Sequence, residues 1–276
     1  MLVFKTLKYT LVTKIVETMT TSFADYFVKV PDDVSFWENR WKTNRVQYDL
    51  SIGTFDGDNL VAFMVIGVDK RNGKRVAFNA GTGVIPQYRG QRLVKQMYDF
   101  AMPIFEKNGI DELALEVITK NIKAIKAYQS VGFKVDKLYQ CFQSNDIDLD
   151  TFVEYSFTEV AQPNWEKYEA FTKEQYCWEF LKVGININID TYRCFELYDY
   201  SNNLIAYYII NPAKNTIMRF EAVNEFGYKA LFHHWHLEFK NVRIINVQHE
   251  EKINFLKKYN FENNIDQFEM VGSLSS

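Results

Sequence analysis

Hydrophobic residues recur along the first half of the chain at two periods, and the points where the period changes predict the elements. A short strand is expected at residues 3–6. Leu11, Val12, Ile15, Val16, Met19 and Phe23 then keep helical spacing within 7–26. Pro31-Asp32-Asp33 reads as a helix start, and Trp37 and Trp41, four residues apart, share one face of a helix over 34–45. Strand-like runs follow at 48–55, 60–69 and 74–84, joined by the turns Asp56-Gly57-Asp58-Asn59 and Arg71-Asn72-Gly73-Lys74, which makes an antiparallel meander. Gly81 and Gly83 predict a bulge or a close backbone approach near its end. Leu93, Met97, Phe100, Ala101 and Ile104 return to helical spacing over 94–106, with Gly109 as the stop. A buried strand at 112–118, a helix at 121–131 ended by Gly132 and a strand at 133–142 complete this half.

Residues 144–150 are polar and acidic and read as a linker, which divides the chain into domains at 1–145 and 151–276. Beyond it the pattern repeats in weakened form. A helix is expected over 165–183, a second meander at 193–200, 204–211 and 215–223, and a helix at 227–239. Strands at 242–247 and 267–271 flank a last helix at 250–259. Helices set into a mostly antiparallel meander, followed by strand, helix and strand, give a mixed α/β sandwich in each half.

Composition narrows the function classes. A 47% hydrophobic and 24% charged chain is an ordinary globular protein, and its net charge of −3 argues against nucleic acid as the main partner. Aromatics are abundant, with 23 Phe and 17 Tyr, which promises large cores or an apolar cleft. Cys141, Cys177 and Cys194 form an odd set without metal-ligand spacing, so free thiols in a reducing compartment are expected. The N-terminus carries Lys5 and Lys8 and lacks a signal-peptide pattern. The longest apolar run, 60–68, is too short to span a bilayer. A cytoplasmic protein without a membrane partner is the expectation.

Chemistry concentrates at residues 84–95. A strand ends at Val84, a Pro86-Gln87-Tyr88-Arg89-Gly90 turn follows, and a helix begins beside Arg89, Arg92 and Lys95. Free amides at a helix start, the positive dipole end and three cations make an anion site, suited to the phosphates of a nucleotide cofactor. Downstream, Asn121 and Tyr128 lie seven residues apart, within roughly 20° on one helix face and roughly 10 Å along its axis. They are placed to touch two parts of one extended ligand.

The pattern Val84-x-Pro86-x-Tyr88-Arg89-Gly90 before a helix resembles the acyl-CoA pyrophosphate loop of the GCN5-related N-acetyltransferases (GNAT). Asn121-x-x-Ala124-Ile125-x-x-Tyr128-x-x-x-Gly132-Phe133 resembles that family's second signature. The resemblance covers about residues 1–142, roughly half the chain on the usual domain-size range. It implies that backbone amides of Arg89, Gly90, Gln91, Arg92, Leu93 and Val94, with Lys95 beside them, hold the pyrophosphate of acetyl-CoA or another acyl-CoA. It also implies that Val84 pairs with the pantetheine arm in a gap between splayed strands, which Gly81 and Gly83 are placed to create. Asn121 becomes a cofactor hydrogen-bond partner and Tyr128 the general acid that protonates the leaving thiolate. A tyrosine hydroxyl, with an ordinary pKa of about 10, can donate at neutral pH. The sequence departs from the family at Arg92 and Val94, where small residues, mostly glycine, are usual. Arginine at 92 either disturbs the turn or adds a charge-assisted phosphate contact.

The resemblance therefore implies a tandem pair of acyl-CoA N-acyltransferase folds. The first domain would be an N-acetyltransferase acting on a small-molecule or peptide amine. The second would be a degenerate copy without a cofactor site. Lining up Asn260-Phe261 with Gly132-Phe133 puts His249 at the place of Asn121 and Leu256 at that of Tyr128, and Asn224-Glu225-Phe226-Gly227 carries an acid where phosphate would need a cation. A non-catalytic acyl-CoA-binding module is the alternative, and a homodimer is admissible. Glu116 is a candidate base beside a water chain. Tyr26, Phe27, Phe36, Trp37 and Trp41, with Asp32, Asp33 and Glu38, either wall the acceptor site or pack on the sheet. Lys120, Lys123 and Lys126 read as a solvated face from which one lysine could reach a CoA phosphate. His233 and His236 share a helix face, but nothing completes a metal-ligand spacing, so no metal is expected.

Overall fold

The computed structural model describes residues 1–25, 30–144, 153–239 and 241–274. The packing of the chain divides it into two units, Met1–Lys137 with Phe268–Ser276, and Leu138–Gln267. This division is drawn differently from the expected one at 145–151, because the last residues of the chain belong to the first unit. Of the expected linker only Ser144 lies within the described residues, as do none of residues 145–152.

The first unit runs β1 (Leu2–Thr6), α1 (Val12–Ser22), α2 (Val34–Thr43), β2 (Ile52–Asp56), β3 (Asn59–Arg71), β4 (Lys74–Val84), a 3-10 turn (Pro86–Tyr88), α3 (Leu93–Lys107), β5 (Glu112–Ile118), α4 (Ile122–Gln129) and the start of β6 (Lys134–Ser144). Its strands lie in the order β1-β2-β3-β4-β5, with the end of β12 (Phe261–Ser273) beside β5. The meander is antiparallel and β5 is parallel to β4. The Asn72-Gly73 turn has φ of 54° and 79°, the left-handed pair that matches the twist of a two-residue hairpin.

Alternation along β3 separates two cores. Phe63 and Val65 face α1 and α2 and pack with Ile15, Met19, Trp37 and Trp41. Ala62, Met64 and Ile66 face α3 and α4 and pack with Met97, Phe105, Leu115 and Phe133. The tryptophans therefore follow the packing alternative. Trp37 and Trp41 are buried with ring centroids 5.7 Å apart, and Trp37 Nε1 donates to Pro31 O at 2.8 Å. Asp33 caps α2 by accepting from Ser35 N–H at 2.8 Å. Tyr26 and Phe27 lie outside the described residues.

The second unit runs from the rest of β6 through β7 (Ser156–Val160), α5 (Trp165–Glu169), α6 (Lys182–Ile187), β8 (Arg193–Tyr198), β9 (Leu204–Asn211), β10 (Thr216–Ala222), α7 (Glu225–Glu238), β11 (Arg243–Val247) and α8 (Glu250–Lys258) into β12. The order there is β12-β6-β11-β10-β9-β8-β7. The helix expected over 165–183 is not formed. Within that range only residues 165–169 and 182–183 are α-helical, and between them the chain runs irregularly through a 3-10 turn at Trp178–Phe180. Glu174 and Tyr176 instead turn inward to Lys252 and Phe220, partners distant in sequence. Strand β7, exposed along most of its length, was not expected from the pattern, and β12 is longer than the 267–271 run.

The internal alignment has a structural counterpart. Gly132 and Asn260 both take positive φ, at 96° and 57°, and each is followed by a buried phenylalanine. Among the described residues no helix is long and apolar enough to cross a membrane.

Candidate functional site

Strand β4 is paired with β5 only from Val76↔Glu112 to Asn79↔Leu115. One residue later the β3–β4 register shifts, so Ala80 is a bulge and the remainder of β4 swings away from β5. Asn79 holds the bulge. Its side-chain amide donates to Thr82 Oγ1 at 2.7 Å and to the buried Tyr98 hydroxyl at 2.9 Å, while Oδ1 accepts from Gly81 N–H at 3.0 Å. Asn79 was not picked out in the sequence; a polar residue inside an apolar strand was the available signal.

The two glycines do different work. A Cβ on Gly83 would lie 2.5 Å from the Phe63 ring and 2.8 Å from Ser22 Cβ, so only glycine lets α1 approach β4 there. A Cβ on Gly81 would meet nothing closer than 3.4 Å. Ile85 N–H donates to Val61 O at 3.0 Å, and the antiparallel alternation then turns the N–H and C=O of Thr82 and Val84 toward the side left open by β5.

Along this open edge lies a cavity of about 720 Å³. It is lined from the α1 side by Ser22, Phe23 and Asp25, along the strand by Thr82, Gly83 and Val84, and from the other side by α3 and α4. Gly90, Arg92, Leu93, Val94 and Lys95 line one end, Asn121, Ala124 and Tyr128 another wall. The structure thus brings together all the singled-out site residues except Gln91, which is exposed beside the cavity and accepts from the Gln96 side chain at 2.8 Å through its carbonyl. Among the described residues, the backbone N–H groups of 90–95 have no hydrogen-bond partner, and the first N–H taken up by the helix is that of Gln96, donated to Arg92 O. Six adjacent unpaired donors at a helix start can together accept an anion.

Arg89 is placed differently from the expectation. Its amide donates to Pro86 O at 3.3 Å, so it is not one of these six donors. Its guanidinium grips Asp25 at 2.7 and 2.8 Å, Ser22 O at 2.9 Å and Val84 O at 3.2 Å. It ties the end of α1 to the end of β4. The hydrogen bonds from Arg89 hold the Asp25 carboxyl down at about 2. Lys95 is likewise engaged, with Asp99 at 2.8 Å.

Arg92 adopts φ 57°, ψ 30°, the left-handed conformation of an N-cap that favours glycine. The turn keeps its geometry and the arginine carries the strain, about 1–2 kcal/mol for a residue with a Cβ. Asn121 Oδ1 caps α4 by accepting from Ala124 N–H at 3.2 Å. Tyr128 is half-buried, its ring set edge-on to Phe133 at 5.9 Å. Tyr98, whose hydroxyl burial pushes well above its ordinary range, packs on the same Phe133 at 5.4 Å. Glu116 is half-buried on β5 and does not line the cavity.

The second unit repeats the frame and closes it. Strands β10 and β11 pair only at Thr216↔Arg243 and Ile217↔Ile244, and Met218 is a bulge one residue later. Counting from the bulge, Arg219, Phe220 and Glu221 stand where Gly81, Thr82 and Gly83 stand in the first unit. Arg219 and Glu221 are buried. The Tyr176 hydroxyl donates to Phe220 O at 2.7 Å and accepts from Phe220 N–H at 3.2 Å. Lys252 Nζ donates to Glu174 Oε1 at 2.6 Å, Glu221 Oε1 at 2.8 Å and Tyr176 Oη at 3.0 Å. Glu174 also accepts from the N–H groups of Gln248 and His249 at 3.2 Å. The loop before the next helix is only residues 223 and 224, against 85–92 in the first unit, and Asn224 Oδ1 accepts from Gly227 N–H at 3.1 Å.

His233 and His234 both reach the Tyr155 hydroxyl, at 3.2 and 3.3 Å. Among the described residues no three His, Cys, Asp or Glu side chains gather as metal ligands would. The three cysteines are buried free thiols.

The acetyltransferase (GNAT) family matches residues 16–133. No curated protein matches the chain. Solved structures do, at identities that speak to the fold alone. A GCN5-related N-acetyltransferase from Sphaerobacter thermophilus is 8% identical with a TM-score of 0.71, covering 99% of this chain and 96% of that one. A tandem GNAT protein from the clavulanic acid biosynthesis pathway is 10% identical with a TM-score of 0.68, covering 100% and 99%. A GCN5-related N-acetyltransferase from Anabaena variabilis is 12% identical with a TM-score of 0.67, covering 100% and 73%. With the two motifs on one cavity, residues 16–133 are those of the GNAT acetyltransferase family, and the chain shares its fold end to end with a tandem GNAT structure.

Proposed function

We propose that the first unit is an N-acyltransferase that moves an acetyl or other acyl group from acyl-CoA to an amine. The observation that carries this is one cavity reaching from the six unpaired amides of 90–95, along the open edge of Thr82 and Val84, to Tyr128. The amides would hold the pyrophosphate, and the strand edge would pair with the amide-bearing pantetheine arm. The family match implies an acyl-CoA co-substrate, and the fit is local: β4 parts from β5 after Asn79, which leaves the edge of Thr82 and Val84 open. The amine nitrogen forms the new C–N bond as the C–S bond breaks. The Tyr128 proton goes to the departing sulfur, and the proton released by nitrogen returns through water. Preorganised donation at a leaving group is worth about 10²–10⁴-fold in rate.

One observation favours the second reading, a non-catalytic acyl-CoA-binding module. Among the described residues Asp25 is the one acid lining the cavity, and hydrogen bonds from Arg89 hold its carboxyl at about 2, so it is a poor base. The second unit, whose gap is filled from within, is a scaffold without a cofactor site in either reading.

The test compares the parent protein with Tyr128→Phe. Acetyl-CoA should raise the melting temperature of both by the same amount. Thiol release with tyramine, spermidine and an Ala-Gly-Gly peptide should fall about a hundredfold or more in the variant. Equal turnover by the two proteins removes Tyr128 from the mechanism, and binding without any turnover by the parent favours the module.

A further inference from the structure

The charges around the cavity do not balance. Among the described residues five cationic side chains line it (Arg89, Arg92, Lys95, Lys120 and Lys123) against one acid, Asp25, in a chain whose net charge is −3. Arg89 is taken up by Asp25 and Lys95 by Asp99. Among the described residues Arg92, Lys120 and Lys123 have no ion-pair partner. They come from separate places, Arg92 from the start of α3, Lys120 from the β5–α4 turn and Lys123 from the first turn of α4. Lys123 faces across to α1, where its charge acts on Asp25. Lys126, one turn further along the same helix, does not line the cavity.

The six amides at 90–95 already suffice for a pyrophosphate. The remaining cations exceed what that group requires, and clefts lined by one sign of charge draw ligands of the other. We propose that Lys120 and Lys123, with Arg92 opposite, form a subsite for a further phosphate monoester on the ligand, so that the first unit selects CoA carrying its ribose 3′-phosphate over dephospho-CoA. This rests on the acyl-CoA reading above and names the part of the ligand that lies outside the pyrophosphate.

Calorimetric titration of the full chain with acetyl-CoA and with acetyl-dephospho-CoA tests it. At about 0.05 M salt the parent should prefer acetyl-CoA by about tenfold, shrinking to about twofold at 0.5 M as the charges are screened. The double variant Lys120→Gln/Lys123→Gln should bind both ligands alike, with its affinity for the dephospho form kept, while Lys126→Gln behaves as the parent. Equal binding of the two ligands by the parent overturns the subsite but leaves the acyl-CoA reading standing. A preference that survives in the double variant, or that Lys126→Gln abolishes as well, also overturns it. Binding of neither ligand brings down the acyl-CoA reading and the subsite with it.

Discussion

Arg89 holds Asp25 with both terminal nitrogens, at 2.7 and 2.8 Å, across 64 residues of sequence. The same guanidinium reaches the carbonyls of Ser22 and Val84, so one side chain sets the distance between α1 and the open edge of β4. Its charge is spent inside the protein rather than on a ligand.

Asp25→Asn and Arg89→Met should therefore have the same effect, and the double variant should be no worse than either. Acetyl-CoA affinity should drop about two- to fivefold in each, as for other exposed ion pairs, with the salt dependence of binding unchanged. A steeper loss for Arg89→Met alone, with a flatter salt dependence, would show that Arg89 touches phosphate.

Arg92→Gly removes a left-handed residue with a Cβ but loosens the unfolded chain. The first effect gives about 1–2 kcal/mol and the second takes back about 0.5–1. A net gain of between about 0 and 1.5 kcal/mol should appear as a small rise in melting temperature, together with weaker acetyl-CoA binding at low salt. A fall in melting temperature would mean that the arginine side chain has a structural partner in solution.

The two glycines of β4 should respond in opposite ways to the same methyl group. Gly83→Ala pushes into Phe63 and Ser22 and should cost about 1–3 kcal/mol, with loss of acetyl-CoA binding. Gly81→Ala meets only ordinary contacts and should be neutral or slightly stabilising. Urea denaturation of the pair decides it, and equal effects would contradict the packing described here.

His234 is buried on α7, and burial, the Arg193 charge and His233 hold it down from 6.5 to about 4. The unfolded chain therefore takes up a proton before the folded one as pH falls. The stability this neutral imidazole provides is complete above pH 6.5 and is lost progressively as pH falls toward 4. Between pH 7 and 5 the loss should be about 2 kcal/mol, read from urea midpoints, and His234→Gln should flatten it. An unchanged slope in the variant assigns the acid sensitivity elsewhere.

Much of the first unit was legible because its signals are local. Strands β4 and β5 follow the bounds set by their hydrophobic runs, and the two motifs meet on one cavity as their order implied. What escaped depends on partners distant in sequence. Nothing near Arg89 announces Asp25, and nothing near Asn79 announces that it braces a bulge through Tyr98. In the second unit the apolar spacing from Trp165 to Val183 imitates a helix, because the residues that break it, Glu174 and Tyr176, answer to Lys252 and Phe220 rather than to their neighbours. Strand β7 carries almost no buried face and so left no periodic trace.

Tyr176 amounts to a tethered competitor. Its phenol, which burial keeps protonated far above neutral pH, satisfies both main-chain groups of Phe220, and being part of the chain it cannot be diluted away. A free molecule entering there would also have to leave Lys252 and Glu221, buried and paired with each other, without the Tyr176 hydroxyl that both contact. A free ligand would have to exceed the effective concentration of this intramolecular occupant to displace it. What fills the edge beside the β10 bulge is thus set by covalent connectivity before affinity enters.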